Sequence, residues 1–223
     1  MNLYRQWYNT IRTNWTDALG DVVFKRRIII NFLLCLIIYF SIIHWLQLNS
    51  CRTGMLVFDP VHALLPVRDF SLLIFVLTYS ATLSFIVYVV QYPAMLHRAF
   101  TAFTAVFVVR ALCIHLLPLC PPAGMIVLND PILNNLADEQ HILNDLFFSG
   151  HIADLSIFYF VAMDKRLKQF IFCCGVVVAF LLVWQRVHYT FDVLAAPAFS
   201  YLSYWLFVEK DIIWASIKKP IFQ

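Results

Sequence analysis

The stretch FFSGHIADLSIF, Phe147 to Phe158, decides how this chain is read. By composition it is an apolar helix at the start of a membrane span. Ser149, Gly150 and His151 stand at its head, and Asp154 follows one turn later. An ionisable group inside the hydrocarbon is costly, so it faces a cavity or the interior of a bundle. The stretch predicts a span whose first turns line a polar pocket.

The rest of the chain agrees with a lipid setting. Of its 223 residues 62% are hydrophobic, 17% aromatic and 13% charged, against roughly a quarter charged in soluble domains. The mean hydropathy is +0.78. These values imply a polytopic membrane protein, and the length allows one compact domain. A formal net charge of +3 is too small to indicate a nucleic-acid partner. Met1 to Leu19 is polar and aromatic, without the apolar run or cleavage site of a signal peptide.

Six stretches supply the roughly 20 mostly apolar residues that a span needs. They are Ile28–Leu48, Phe70–Gln91, Ala99–Leu119, Leu146–Met163, Leu167–Val187 and Tyr189–Val208. Basic residues orient them, because cytoplasmic loops collect Lys and Arg. With both termini inside, Arg5, Arg12, Lys25, Arg26, Arg27, Arg98, Lys165, Arg166, Lys168, Lys210, Lys218 and Lys219 fall on the cytoplasmic side. Arg52 and Arg68 sit in an outer loop, and Cys120 to Asp145 contains no Lys or Arg. The expected fold is an all-α membrane protein, a six-transmembrane helix bundle with both termini cytoplasmic. An amphipathic cytoplasmic segment, 1–27, carries Trp7, Tyr8 and Trp15 as interfacial aromatics. It precedes a catalytic bundle, 28–209, and a short cytoplasmic tail, 210–223. The sequon at Asn14 would then stay unglycosylated. The N-terminal helix is compatible with homo-oligomer contacts.

The six cysteines show no metal-binding spacing. Four lie in apolar runs as small core residues. Cys51 and Cys120 fall in loops on one side of the membrane, where a disulfide between them is one alternative.

The charges inside the spans share a depth. His151 and Asp154 open the fourth span, Arg186 and His188 close the fifth, Asp192 lies one turn into the sixth, and Arg110 is in the outer half of the third. That common level predicts a single polar pocket open to the non-cytoplasmic side. In RVHYTFDVLAA, His188 and Asp192 are four residues apart, one turn on one helix face. A carboxylate beside an imidazole fixes its tautomer and stabilises its cation. Ser149 is a candidate N-cap, and Gly150 permits close approach of a ligand. The free N–H groups of a helix start favour an anion. An arginine, a helix start and two histidines suit a phosphate, and the apolar surround suits that of a lipid.

The motifs carry a family resemblance. Asp145-Leu146-Phe147-Phe148-Ser149-Gly150-His151 and His188-Tyr189-Thr190-Phe191-Asp192-Val193 resemble those of the lipid phosphatase and phosphotransferase superfamily, PAP2-type. More narrowly they resemble its sphingomyelin-synthase branch, with D-x-x-[FY]-SGH and HYTxDV. RALCIHLLP in the third span is similar to that branch's arginine-bearing span, and the likeness covers roughly residues 90–210. The resemblance implies that His188 attacks phosphorus with help from Asp192, and that His151 protonates the leaving lipid alcohol and then deprotonates the acceptor. It implies phosphate contacts from Arg110, Ser149, Gly150 and Arg186, supporting roles for Asp145, Asp154 and Tyr189, and no metal or other cofactor. The partners would be a phospholipid donor and a lipid alcohol acceptor, ceramide or diacylglycerol, in an integral membrane site on the non-cytoplasmic face. That face is periplasmic in a bacterial inner membrane, or lumenal in the Golgi or ER.

The phosphatase-branch pattern K-x6-RP is missing, and Leu182 stands where an arginine would precede His188 by six residues. Both departures favour headgroup transfer over simple monoester hydrolysis. A lipid phosphate phosphatase or phospholipase C-like hydrolase of the same fold, with water as acceptor, remains the alternative. His115 replaces the Thr-rich stretch of the branch's third span. From other classes, a haem protein with His151 and His188 as axial ligands, or a non-catalytic lipid-binding scaffold, remain alternatives. Arg186 reads equally as an interfacial anchor, and Arg110 as an interhelical strut. His44, His62, His97, His115 and His141 read as ordinary, and Asp59 and Asp69 as shaping the outer mouth.

Overall fold

The computed structural model describes residues 3–48, 54–130 and 146–209. In chain order these form α1 (Leu3–Gly20), α2 (Val22–Leu48), α3 (Pro60–Leu64), α4 (Ser71–Val89), α5 (Pro93–Leu116), α6 (Gly150–Val161), α7 (Lys165–Trp184) and α8 (Thr190–Tyr204). A π-helical turn, Trp205–Glu209, continues α8. Among the described residues there is no sheet, and one isolated parallel bridge joins Met55 to Leu119.

Among the described residues five helices are long and apolar enough to cross a membrane: α2, α4, α5, α7 and α8 with its π-helical extension. The expected fourth span, Leu146–Met163, differs. Its helix is the 12 residues of α6, roughly 18 Å at 1.5 Å per residue, against a hydrocarbon core of roughly 30 Å. Residues 146–149 are apolar or small but not helical, and all four are buried. Non-helical backbone at membrane depth is tolerated where protein encloses it, and here the Arg110 Nε–H donates to the Phe148 carbonyl at 2.7 Å. Hydropathy counts apolar residues but does not register a carbonyl satisfied from another helix.

The local starts follow from sequence. Pro93 opens α5, where its missing N–H costs nothing. Asp164 caps α7 by accepting from the Leu167 N–H at 2.8 Å. α2 begins at Val22, so Lys25, Arg26 and Arg27 lie in its first turns. On α5 the buried residues are Pro93, Ala99, Ala102, Ala105, Val106 and Ile114. The three alanines let neighbouring helices approach closely, which is the main source of packing energy inside lipid. Phe148 stacks on Phe199 at 5.1 Å, and Phe85 on Phe158 at 4.4 Å.

Alternating helix directions sort the connections to two ends. At one end α1 docks onto the α4–α5 turn. Asn14 Nδ2 donates to the Gln91 carbonyl at 2.8 Å and Trp15 Nε1 to the Val90 carbonyl at 2.7 Å. Arg98, Lys165, Arg166 and Lys168 gather at this end. At the other end, three connections knit into a cap. The Met55 N–H donates to the Pro118 carbonyl at 2.8 Å, and the Cys120 N–H to the Met55 carbonyl at 2.9 Å. A Cβ on Gly54 would collide with the Leu119 backbone, so only glycine fits there. Gln185, fully buried, joins all three connections. Its Oε1 accepts from the Phe70 N–H at 2.7 Å, and its Nε2 donates to Ser71 Oγ at 2.9 Å and the Ile126 carbonyl at 3.1 Å. Cys120 is a free thiol, 3.0 Å from the Gly54 carbonyl. Cys51, its alternative partner, lies outside the described residues, as do Arg52, His141, Asp145 and the tail from Lys210.

Candidate active site

The head of α6 is the first half of the site. Ser149 occupies the N-cap position, but its side chain makes no cap hydrogen bond. Its Oγ is buried without a partner. Its N–H donates to the Asp192 carbonyl at 3.3 Å, tying α6 to α8. Gly150 is needed for close approach, and the group that approaches is Arg110. A Cβ at position 150 would stand 3.3 Å from both Cζ and Nη2 of the Arg110 guanidinium. His151 is the second residue of α6, with its ring edge-on to Phe75 at 6.0 Å. Asp154, one turn on, is half-buried, and its charge acts on the Cys35 thiol of α2. Asp145, the first residue of this motif, lies outside the described residues.

The second half is the connection from α7 to α8. After the C-cap Gln185, Arg186 adopts φ 60°. Its N–H donates to the Val183 carbonyl at 3.0 Å, and the Val187 N–H to the Leu182 carbonyl at 2.9 Å. These are the two closing bonds of a Schellman turn, with arginine where glycine is usual. The side chain accounts for the substitution. Nη1 donates to the Ala123 carbonyl at 2.9 Å, and Nη2 to those of His62 at 2.7 Å and Leu65 at 3.5 Å. The Arg186 guanidinium is thus engaged with loop carbonyls.

His188 follows, buried, with Nδ1 3.7 Å from Asp192 Oδ2. That is ion-pair distance but too long for a hydrogen bond, and Nδ1 has no other partner. Asp192 is fully buried. Its Oδ2 accepts from the Tyr189 N–H at 3.1 Å, while Oδ1 has no partner. The Tyr189 hydroxyl donates to the Cys120 carbonyl at 2.9 Å and accepts from the Val57 N–H at 3.3 Å. Burial above all, with Asp192 and Asp59 nearby, pushes the Tyr189 hydroxyl above its usual range despite the Val57 bond, so it stays a neutral donor.

Structure thus brings together Arg110, Ser149, Gly150, His188, Tyr189 and Asp192 through direct contacts, with His151 next to Gly150. Buried polar atoms are normally paired. Here Ser149 Oγ, His188 Nδ1 and Asp192 Oδ1 are not, and they cluster where α6 meets α8. The charge of Arg110 reaches the Asp192 carboxylate, and the start of α6, which carries no side-chain cap from Ser149, lies beside that arginine. Such a constellation can hold an anion at the N–H groups and guanidinium. It can also move protons at two imidazoles.

Two residues have a larger part than their sequence reading. Asp59 caps α3 by accepting from the Val61 N–H at 2.9 Å. It also reaches α8, accepting from the Thr190 N–H at 2.6 Å and Thr190 Oγ1 at 3.1 Å. Burial raises its carboxyl, but the Thr190 and Val61 bonds and His62 outweigh that and hold it below the usual range. His62 places Nε2 3.2 Å from the His188 carbonyl and 3.8 Å from Asp59 Oδ2, with its ring stacked on Tyr189 at 5.9 Å. Burial pushes its imidazole below the usual range, although Asp59 and the His188 bond oppose this. The Asp59-Pro60 pair does announce an N-cap followed by a first-turn proline. Nothing local announces the contact with Thr190.

Fold and site together define an all-helical integral membrane protein with a buried polar centre at one end of its bundle. Residues 144–209 match the family described as PAP2 superfamily C-terminal, a stretch that contains both histidine motifs. The match supports the PAP2-type superfamily, whose chemistry is that of lipid phosphatases and phosphotransferases. No curated protein matches the chain.

Proposed function

We propose that the protein moves a phosphoalcohol headgroup from a glycerophospholipid to a lipid alcohol, ceramide or diacylglycerol, through a phosphohistidine intermediate. The observation that carries this reading is the meeting of the Ser149-Gly150-His151 head with the His188–Asp192 pair under Arg110. In the proposed reaction His188 Nε2 attacks phosphorus. The P–N bond forms as the P–O bond to diacylglycerol breaks, and the His151 imidazolium gives its proton to the departing oxygen. Asp192 stabilises the charge on His188. The acceptor hydroxyl then gives its proton to His151 and attacks phosphorus, and the P–N bond breaks. Arg110 and the N–H groups at the start of α6 balance charge on the phosphoryl oxygens. Arg186 serves the loops rather than the phosphate, because its guanidinium holds three carbonyls. Asp154 orients His151 from one turn away.

This reading takes α6 as a sixth, short crossing element. Both termini are then cytoplasmic and the site non-cytoplasmic. The collection of basic residues at the end opposite the site supports that orientation.

The second reading is hydrolysis, with water in place of the acceptor alcohol, and the family match favours it equally. The deciding experiment incubates purified protein in mixed micelles with a phospholipid panel plus ceramide or diacylglycerol and identifies products by mass spectrometry. A new phospholipid on the added alcohol supports transfer. Free phosphate or phospho-headgroup, indifferent to added alcohol, supports hydrolysis. Full turnover by His188→Ala would overturn both.

A further inference from the structure

Beyond the α7 and α8 helices that flank it, the connection bearing His188 is held from outside, by a segment more than 100 residues earlier in the chain. Four of the five residues 186–190 are engaged by residues 57–65. Arg186 donates to the His62 carbonyl at 2.7 Å. The His188 carbonyl meets His62 Nε2 at 3.2 Å. The Tyr189 hydroxyl accepts from Val57 at 3.3 Å, and Thr190 donates twice to Asp59. A carbonyl can only accept, so the His62–His188 bond requires the proton on Nε2 of His62. Asp59 and His62 are joined in turn, 3.8 Å apart, through a short helix whose N-cap is Asp59.

We propose that Asp59 and His62 are positioning residues for the reaction proposed above. They form a backbone clamp that sets where the His188 imidazole stands relative to Asp192. The inference rests on the functional reading for its catalytic part alone; the clamp itself is a statement about structure.

Its logic is geometric. His188 Nδ1 stands 3.7 Å from Asp192 Oδ2, and closing that gap to a hydrogen bond needs a shift of under about an ångström. Asp192 is fixed on α8 by its bond from Tyr189. The position of His188 is fixed by its backbone, whose carbonyl is held by His62. The same Asp59 carboxylate anchors the first N–H of α8, so nucleophile and carboxylate are referenced to one group. A misplacement of about an ångström in a catalytic group costs up to about a hundredfold in rate, so the clamp is worth a measurable factor without touching substrate.

The test compares His62→Ala, His62→Gln and Asp59→Asn in the full chain, in detergent with donor and acceptor lipids. Glutamine carries an amide N–H that can replace Nε2–H. Two readouts are taken: kcat and KM separately, and the rate at which diethyl pyrocarbonate modifies His188, located by peptide mass spectrometry. The expected result for His62→Ala is a fall in kcat of about tenfold with KM within about twofold. His188, buried in the wild type, should be modified several-fold faster. His62→Gln should recover most of both, and Asp59→Asn should fall between. Unchanged His188 modification in His62→Ala overturns the clamp whatever turnover does. Faster modification with unchanged kcat overturns its catalytic part. A glutamine variant as impaired as alanine overturns the role of the Nε2 hydrogen bond. If the wild type turns over no lipid offered, the functional reading falls and the labelling rate still decides the clamp.

Discussion

His151 and His188 are held by different means. His151 is the second residue of a regular helix whose head is fixed by Arg110 over Gly150 and by the Ser149–Asp192 backbone bond. Its own turn is regular helix, and Arg110 and Asp192, each about 40 positions away, seat that helix in the bundle. His188 stands in a non-helical connection, between an arginine at φ 60° and the first turn of α8. Its place is set by residues 57 to 65 and Cys120. A helix supplies rigidity through its own hydrogen bonds, whereas a loop acquires it through tertiary ones. The comparison teaches that equally legible motifs can have unequal structural dependencies.

The sharpest way to break this comparison is to remove each imidazole. His188→Ala should lower turnover by at least about 10³-fold, as expected when a covalent nucleophile is lost. His151→Ala should cost about 10²- to 10⁴-fold, the range for a general acid–base group. Both proteins should keep the thermal midpoint of the wild type within a few degrees, measured in the same detergent.

Next is the head of α6. Gly150→Ala puts a methyl against the Arg110 guanidinium at 3.3 Å, so the arginine must yield by a few tenths of an ångström. Turnover should fall about tenfold, and Gly150→Val should fall further, toward the hundredfold cost of a misplaced site. Equal activity of glycine and valine at this position would mean that Arg110 does not need its observed seat.

A smaller effect separates backbone from side chain at Arg186. Arg186→Ala loses the carbonyl contacts and keeps a strained φ, while Arg186→Gly loses the contacts but relaxes the backbone. The glycine variant should be more stable than the alanine one by about 1 kcal/mol, the usual cost of a left-handed non-glycine residue. Both should be less stable than the wild type, read as thermal midpoints.

The pH dependence of stability follows from His62. Burial holds its imidazole below the ordinary value of 6.5, so the folded protein keeps it neutral where the unfolded chain binds a proton. Its contribution to stability is full above about pH 6.5 and is lost as pH falls from there through the depressed folded value. The Asp59 contribution persists lower, being lost only as pH falls through a carboxyl value below 3.8. Melting midpoints should drop between about pH 7.5 and 5.5 in the wild type, and less in His62→Gln. The smallest effect is expected at the far end of the bundle. Asn14→Ala or Trp15→Phe removes one bond to the α4–α5 turn and should cost about 1 kcal/mol with turnover unchanged.

Much of this was legible in the sequence. Hydropathy marks six apolar stretches, and five of them are helices of spanning length among the described residues, because a helix in lipid must satisfy its backbone internally and be apolar outside. The i,i+4 spacing placed His188 beside Asp192. Ser149 stands at the N-cap position that its sequence suggests, but its side chain makes no cap bond. These are local or periodic properties, and a one-dimensional pattern carries them. Tertiary structure alone decided the rest. It shortened the fourth apolar stretch to a 12-residue helix, because an arginine from α5 satisfies the Phe148 carbonyl. It turned the space above Gly150 into the seat of Arg110, directed Arg186 to loop carbonyls, and drew Asp59 and His62 onto the connection that bears His188. Each of these joins residues separated by roughly 40 to 130 positions. Such pairings leave no periodic trace, since neither partner, read alone, names the other.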